Sequence, residues 1–357
     1  MGGLSGHMMH PFDNMELTKQ DLKQMITASL KDELKMVEKI DGFNIHAYMV
    51  NGEVRFARNR KDLENGGMTI ADMIDKWENN PYTLNIYLKS AFLIKKYLNE
   101  AQLESVTSSI ITLNCECVVG ETNIMPYPDA RVYIHNAWIW HKDGTVEVSQ
   151  LGPKYKCIKV DNVYFEQPIH INPSHNVDSI INGYCDDIDD MFEESDTIKE
   201  YYQTKFLYWL YNNCQWVLES NEGIKVLFYR FFANDKSVNL KQIKAMYPGK
   251  ESLIDELCKR EYKYCLEWCK GELQFFIYNV GNTILSQVSN YINEKQRYTV
   301  CQHLLDQLGD YTLCVLDNKV NALEGVVFEW KGNLYKWTGS FAIINKILGE
   351  KKYEKLV

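Results

Sequence analysis

Residues 43–58 constrain the fold of this chain more than any other stretch. Ile45, Ala47 and Met49 alternate with His46, Tyr48 and Val50, a period of two that suits a half-buried strand. Asn51-Gly52 follows, a pair suited to the tight two-residue turn of a β-hairpin, and Glu53–Arg58 form the return strand. Just before the hairpin stands Glu38-Lys39-Ile40-Asp41-Gly42-Phe43-Asn44, a lysine two residues ahead of an aspartate and a glycine. A lysine placed at the edge of a nucleotide pocket can act as a covalent nucleophile. Its amine must first lose a proton, so burial or nearby positive charge must lower its pKa.

The rest of the chain alternates between strand-rich and helix-rich stretches. Thr18 can cap a helix running to about Val37, with Leu22, Met25, Ile26, Leu30, Leu34 and Val37 at helical spacing. Residues 68–104 read as two or three helices. Residues 110–118 read as a buried strand interrupted by one acid, Glu116, and acids are rarely placed in apolar strands without a partner or a task. A strand at 131–135 and the Trp138-Ile139-Trp140 segment lead to a turn at 141–144. Helical character then dominates, at roughly 191–220, 249–270 and 272–308. Strand character returns at 311–317 and in a hairpin over 324–339, and a helix from about Ala342 follows. The pattern predicts an α+β fold in three segments, 1–164, a mainly helical 165–310, and 311–357.

Composition narrows the function classes. Of 357 residues, 45% are hydrophobic and 24% charged, ordinary values for a globular protein. The net charge of -9 means that nucleic acid, if bound, needs a local basic groove. Ten cysteines include no CxxC pair and no zinc-ligand spacing with histidine. No apolar leader opens the chain and no run suits a membrane span, so reduced thiols and a cytoplasmic location are expected. His7, His10 and Asp13 suit a surface or capping role better than a metal. The acidic run Asp186–Asp190 suits a solvated helix entrance, and the aromatic residues of 201–216 suit a core better than a stacking platform.

Several motifs in order resemble the covalent nucleotidyltransferase superfamily, the ATP-dependent RNA and DNA ligases and the mRNA capping enzymes. EKIDG at 38–42 matches the nucleophile motif K-x-D-G, and Asn44 is similar to the RNA-ligase form of it. FARNRKD at 56–62 resembles the arginine segment that follows. LNCEC at 113–117 resembles the strand motif with a central glutamate. VYIH at 132–135 falls where the family packs a residue on adenine. EGVVFEW at 324–330 resembles the second glutamate motif, and LYKWTG at 334–339 the final lysine motif. The two ends of the chain also resemble those of ligase-like proteins of tailed bacteriophages, for which the location would be the host cytoplasm.

The resemblance implies a nucleotidyltransferase (ATP-grasp-like) core of antiparallel sheets, split by a large helical insertion. It implies that Lys39 attacks the α-phosphate of ATP to give a lysyl–AMP phosphoramidate, with Lys336 on the same phosphate. Arg58 would bind ribose or phosphate. Glu116 and Glu324 would bind ribose hydroxyls or a divalent cation, Mg²⁺ or Mn²⁺. Glu38, Ile40, Asp41, Gly42, Asn44 and His135 would complete the nucleotide pocket. The partner would be a nucleic acid with a 5′-phosphate end, RNA more than DNA. Thr338 stands where the family has a second lysine, His135 stands in place of a carbon ring, and the span from Glu116 to Glu324 is long. Nineteen residues follow Thr338, too few for the OB domain of DNA ligases. Two further readings stay open: adenylation of a protein or small-molecule acceptor, and a degenerate ligase-like binding protein.

Overall fold

The computed structural model describes residues 8–103, 109–119, 129–288 and 323–339. It is a mixture of helix and antiparallel sheet, an α+β protein. The chain divides into two compact units. One comprises Met1–Met8, Lys35–Asn172 and Leu285–Val357, the other Met9–Leu34 and Pro173–Ile284. The expected N-terminal segment 1–164 is therefore interrupted, because residues 9–34 cluster with the helical segment. The strand expected at 311–317, the helix from about Ala342 and the far part of the 272–308 helix lie outside the described residues.

The helical unit begins with α1 (Lys19–Leu30), whose N-terminus is a capping box. Thr18 Oγ1 accepts from the Asp21 N–H at 3.0 Å, and the Asp21 carboxylate accepts from the Thr18 N–H at 3.2 Å. The helix stops at Leu30 and does not run to Val37. Asp32 takes a left-handed φ of 58°, and the Glu33 N–H reaches back to the Ala28 carbonyl at 2.8 Å, a Schellman-type stop. Leu34 and Val37 kept the helical phase by coincidence, since Met36–Lys39 form a strand, β1. Asp13 accepts from the His10 N–H at 3.1 Å, the capping role.

In the sheet unit, β2 (Phe43–Val50) and β3 (Glu53–Ala57) form the hairpin, with Asn51 and Gly52 at φ of 51° and 73°. Then come α2 (Arg60–Glu64), α3 (Ile70–Trp77), α4 (Pro81–Ala101), β4 (Ser109–Val119), β5 (Ala130–His141), β6 (Val146–Ser149), α5 (Pro153–Lys156), β7 (Val163–Phe165) and β8 (Pro168–Ile169). The helical unit continues with α6 (Val177–Phe192), α7 (Ile198–Asn213), α8 (Asn221–Phe232), α9 (Leu240–Met246), α10 (Glu251–Glu256) and α11 (Tyr262–Ser286). The acidic run lies inside α6, not at a helix entrance. Its Asp189 meets Lys23 of α1 at 2.5 Å. The aromatic segment divides: Tyr201, Tyr202 and Trp209 are buried, while Tyr208 and Tyr211 are exposed. No described helix is long and apolar enough to cross a membrane.

β9 (Gly325–Trp330) and β10 (Asn333–Thr338) return to the sheet unit. They turn at Lys331-Gly332, both at positive φ. Two sheets result, one ordered β10-β9-β1-β8, the other β3-β2-β4-β5-β6 with β7 parallel to β5. One face of the larger sheet is apolar. Ile45, Ala47, Cys115, Cys117, Val132 and Ile134 pack there with Ile86, Ala91, Ile94 and Leu98 of α4. Burial of each large aliphatic chain favours the fold by roughly 1.5–3 kcal/mol, which fixes the strand register. The opposite face is thereby assigned to Asn44, His46, Asn114 and Glu116.

Candidate functional site

Strand register brings the two lysines to one face of the smaller sheet. Lys39 and Thr338 are both paired with Gly325, and Val37 and Lys336 are both paired with Val327. Directly paired residues share a face, as do residues two apart on one strand. Lys39, Thr338, Val37 and Lys336 therefore point the same way. A Cβ on Gly325 would run into the Trp337 carbonyl and come within 2.9 Å of Thr338 Cγ2. The glycine lets the three strands close up between Lys39 and Thr338.

A cavity of about 540 Å³ lies against this face. Lys39, Lys336, Glu38, Ile40, Asp41, Gly42, Asn44, Arg58, Glu116 and His135 all line it, although they come from β1, β2, β4, β5, β10 and the segments beside them. Glu324 lies off the cavity wall, and its carboxylate takes a short hydrogen bond from Lys39 Nζ. Burial raises the Glu324 carboxyl to about 7. The Lys39 charge opposes that rise, while Asp41 and Glu116 add to it. Glu38 is also raised to about 7, by burial, with Arg131 opposing and Glu324 adding.

Gly42 sets the distance between the lysine segment and β4. A Cβ there would stand 2.7 Å from Glu116 Cγ, 2.8 Å from the Cys117 carbonyl oxygen and 2.9 Å from Val118 Cγ1. No side chain fits without moving backbone. Asn44 pairs with Glu116 in the ladder, and its amide donates to Asn114 Oδ1 at 2.7 Å and to the Cys115 carbonyl at 3.2 Å. Asn44 Oδ1 is buried with no hydrogen-bond partner among the described residues. The Arg58 guanidinium stands 5.8 Å from the centre of the Tyr87 ring.

His135 reaches the cavity through an irregularity. Asn114 pairs with Asn136 but Cys115 pairs with Ile134, so His135 is the extra residue of a β-bulge. Both His135 and Asn136 then line the cavity. His135 Nδ1 lies 2.6 Å from a Glu166 oxygen, and Nε2 lies 3.7 Å from Glu116 Oε2. Burial would lower its pKa, but the two carboxylates more than offset this and raise it to about 9. Glu166 carries no sequence signal for this role, since it follows β7 and meets His135 only in the fold. Asn114 could have been found, because it alternates with Glu116 on a strand whose other face is apolar.

Among the described residues, no three or more His, Cys, Asp or Glu side chains converge as a metal cage. Glu324 Oε2 is nevertheless buried with no hydrogen-bond partner among the described residues. Asp41 and Glu116 are close enough to act on the same carboxyl. No protein-family model and no curated protein sequence matches the chain.

Proposed function

We propose that this protein is an ATP-dependent, RNA-ligase-like polynucleotide ligase with a nucleotidyltransferase core. It works through a lysyl–AMP intermediate on Lys39 and seals 5′-phosphate to 3′-hydroxyl ends. The observation that carries this reading is the shared face of Lys39 and Lys336 against one cavity that Asn44, Glu116 and Arg58 also line.

Glu324 Oε1 fixes Nζ of Lys39 on the sheet face. The ammonium must lose a proton to solvent before it can attack. Nζ then bonds to the α-phosphorus as the bond to the pyrophosphate oxygen breaks. Lys336 and Arg58 supply positive charge where negative charge grows on the phosphate. Glu116 and Glu324 would hold Mg²⁺ or Mn²⁺, which when bound neutralises phosphate charge. In the second step a 5′-phosphate oxygen attacks the same phosphorus and the N–P bond breaks, leaving AMP on the polynucleotide end. Attack by a 3′-hydroxyl then forms the phosphodiester and releases AMP.

Intact-mass measurement after incubation with ATP and Mg²⁺ tests the first step. One added AMP is expected, lost in Lys39→Ala. A wild-type protein that binds ATP with no adduct overturns the reading.

A further inference from the structure

Beyond the cavity, the same face of the larger sheet carries two tryptophans. Asn136, Trp138 and Trp140 alternate along β5, so all three point to the cavity side, and Asn136 lines the cavity itself. The two indoles are half-buried and stacked, with centroids 5.7 Å apart and planes 28° apart. Each is held in place. Trp138 Nε1 donates to Asn136 Oδ1 at 2.8 Å, and Trp140 Nε1 donates to Thr112 Oγ1 at 3.1 Å. On the neighbouring edge strand, Val148 pairs with Trp138 and Val146 with Trp140, and both valines are exposed, at 55% and 40%.

This is an aromatic and apolar patch at a sheet edge, joined to the cavity through Asn136, with Trp140 seated on the Tyr48, Ala57 and Leu63 cluster. Lys142 lies in the turn after β5. Rings on which bases can stack are the sequence-tolerant component of single-strand binding, and a nearby cation such as Lys142 adds to it.

We infer that Trp138 and Trp140 form a base-stacking subsite that receives an unpaired polynucleotide end and leads it to the Lys39 cavity. The inference rests on the ligase reading above and specifies its substrate as single-stranded. Bases in a paired duplex already stack on each other and offer no free face to the indoles.

The test uses the full chain, loaded with AMP, and short labelled 5′-phosphorylated oligonucleotides as unpaired RNA, unpaired DNA and a nicked duplex. Wild type is expected to bind an unpaired strand more tightly than the duplex, and the RNA and DNA arms identify which. Trp138→Leu with Trp140→Leu should weaken that binding about tenfold or more, while Trp138→Phe with Trp140→Phe retains most of it. AMP attachment to Lys39 should be unchanged in both. Photocrosslinking of the wild type to the same strand, mapped by mass spectrometry, should mark β5. Unchanged affinity in the leucine variant, or crosslinks only outside 130–149, overturns the subsite. Failure of the ligase reading shows separately, as no AMP on wild-type Lys39.

Discussion

The amine of Lys39 is held by the carboxylate of Glu324, a residue 285 positions further along the chain. The pair exists because β1 lies beside β9 with Lys39 opposite Gly325, so Glu324 arrives one residue before the glycine. The Glu324 carboxylate is itself buried, and its second oxygen has no hydrogen-bond partner among the described residues.

Glu324→Gln should therefore leave the fold intact and slow AMP attachment by about 10²-fold, the scale of losing one charged active-site contact. Lys39→Arg should abolish the adduct, since guanidinium is not deprotonated in proteins. Time courses of intact mass measure both. Wild-type rates in Glu324→Gln would exclude a role for the pair.

Gly42→Ala should damage both fold and site. The new methyl meets the Cys117 carbonyl, which cannot turn aside as a side chain can. A loss of about 1–3 kcal/mol is expected from overpacking, read as a lower urea midpoint, together with a slower adduct. Gly52→Ala, where a Cβ meets open space, should affect stability only through its left-handed φ of 73° and leave adduct formation alone.

His135 and Glu166 give a pH prediction. The folded pKa of His135 is raised to about 9 from an ordinary 6.5, against the burial that lowers it, by Glu116 and Glu166. The folded state therefore holds more protons than the unfolded one between these values. That stabilisation is fully present below about 6.5 and is lost as pH rises through 9. Glu166→Gln should flatten the decline seen in urea titrations from pH 6.5 to 9. An unchanged slope would remove Glu166 from the account.

Glu38 should show a slope of the same sign over a lower window. Burial raises its carboxyl from 4.5 to about 7, so wild type loses stability as pH rises from 4.5 to 7. Glu38→Gln lacks that loss. Its advantage over wild type should grow across this window by up to about 3 kcal/mol and stay level above pH 7. Equal pH dependence of the two proteins would contradict the burial of this carboxylate.

The hairpin 43–58 was legible because Asn51-Gly52 and the alternation of Ile45, Ala47 and Met49 are local signals. The α4 segment was legible for the same reason. The end of α1 was not, because Leu34 and Val37 keep the helical phase while β1 gains its hydrogen bonds from β9, far along the chain. The acidic run was placed at a helix entrance, yet α6 starts at Val177, and its carboxylates sit on solvated turns that periodicity reads poorly.

For the candidate site, sequence alone determined which residue types were present and in what order: Lys39 before a hairpin, Glu116 in an apolar strand, Lys336 in a second hairpin. Only the tertiary structure decided that Lys39, Lys336, Arg58 and His135 line one cavity, that Glu324 serves it through Lys39, and that Glu166 holds His135. The reason is physical. Turns and periodicity are set by neighbouring residues, whereas strand pairing between β1, β9 and β10 and the bulge at His135 depend on which distant edges meet.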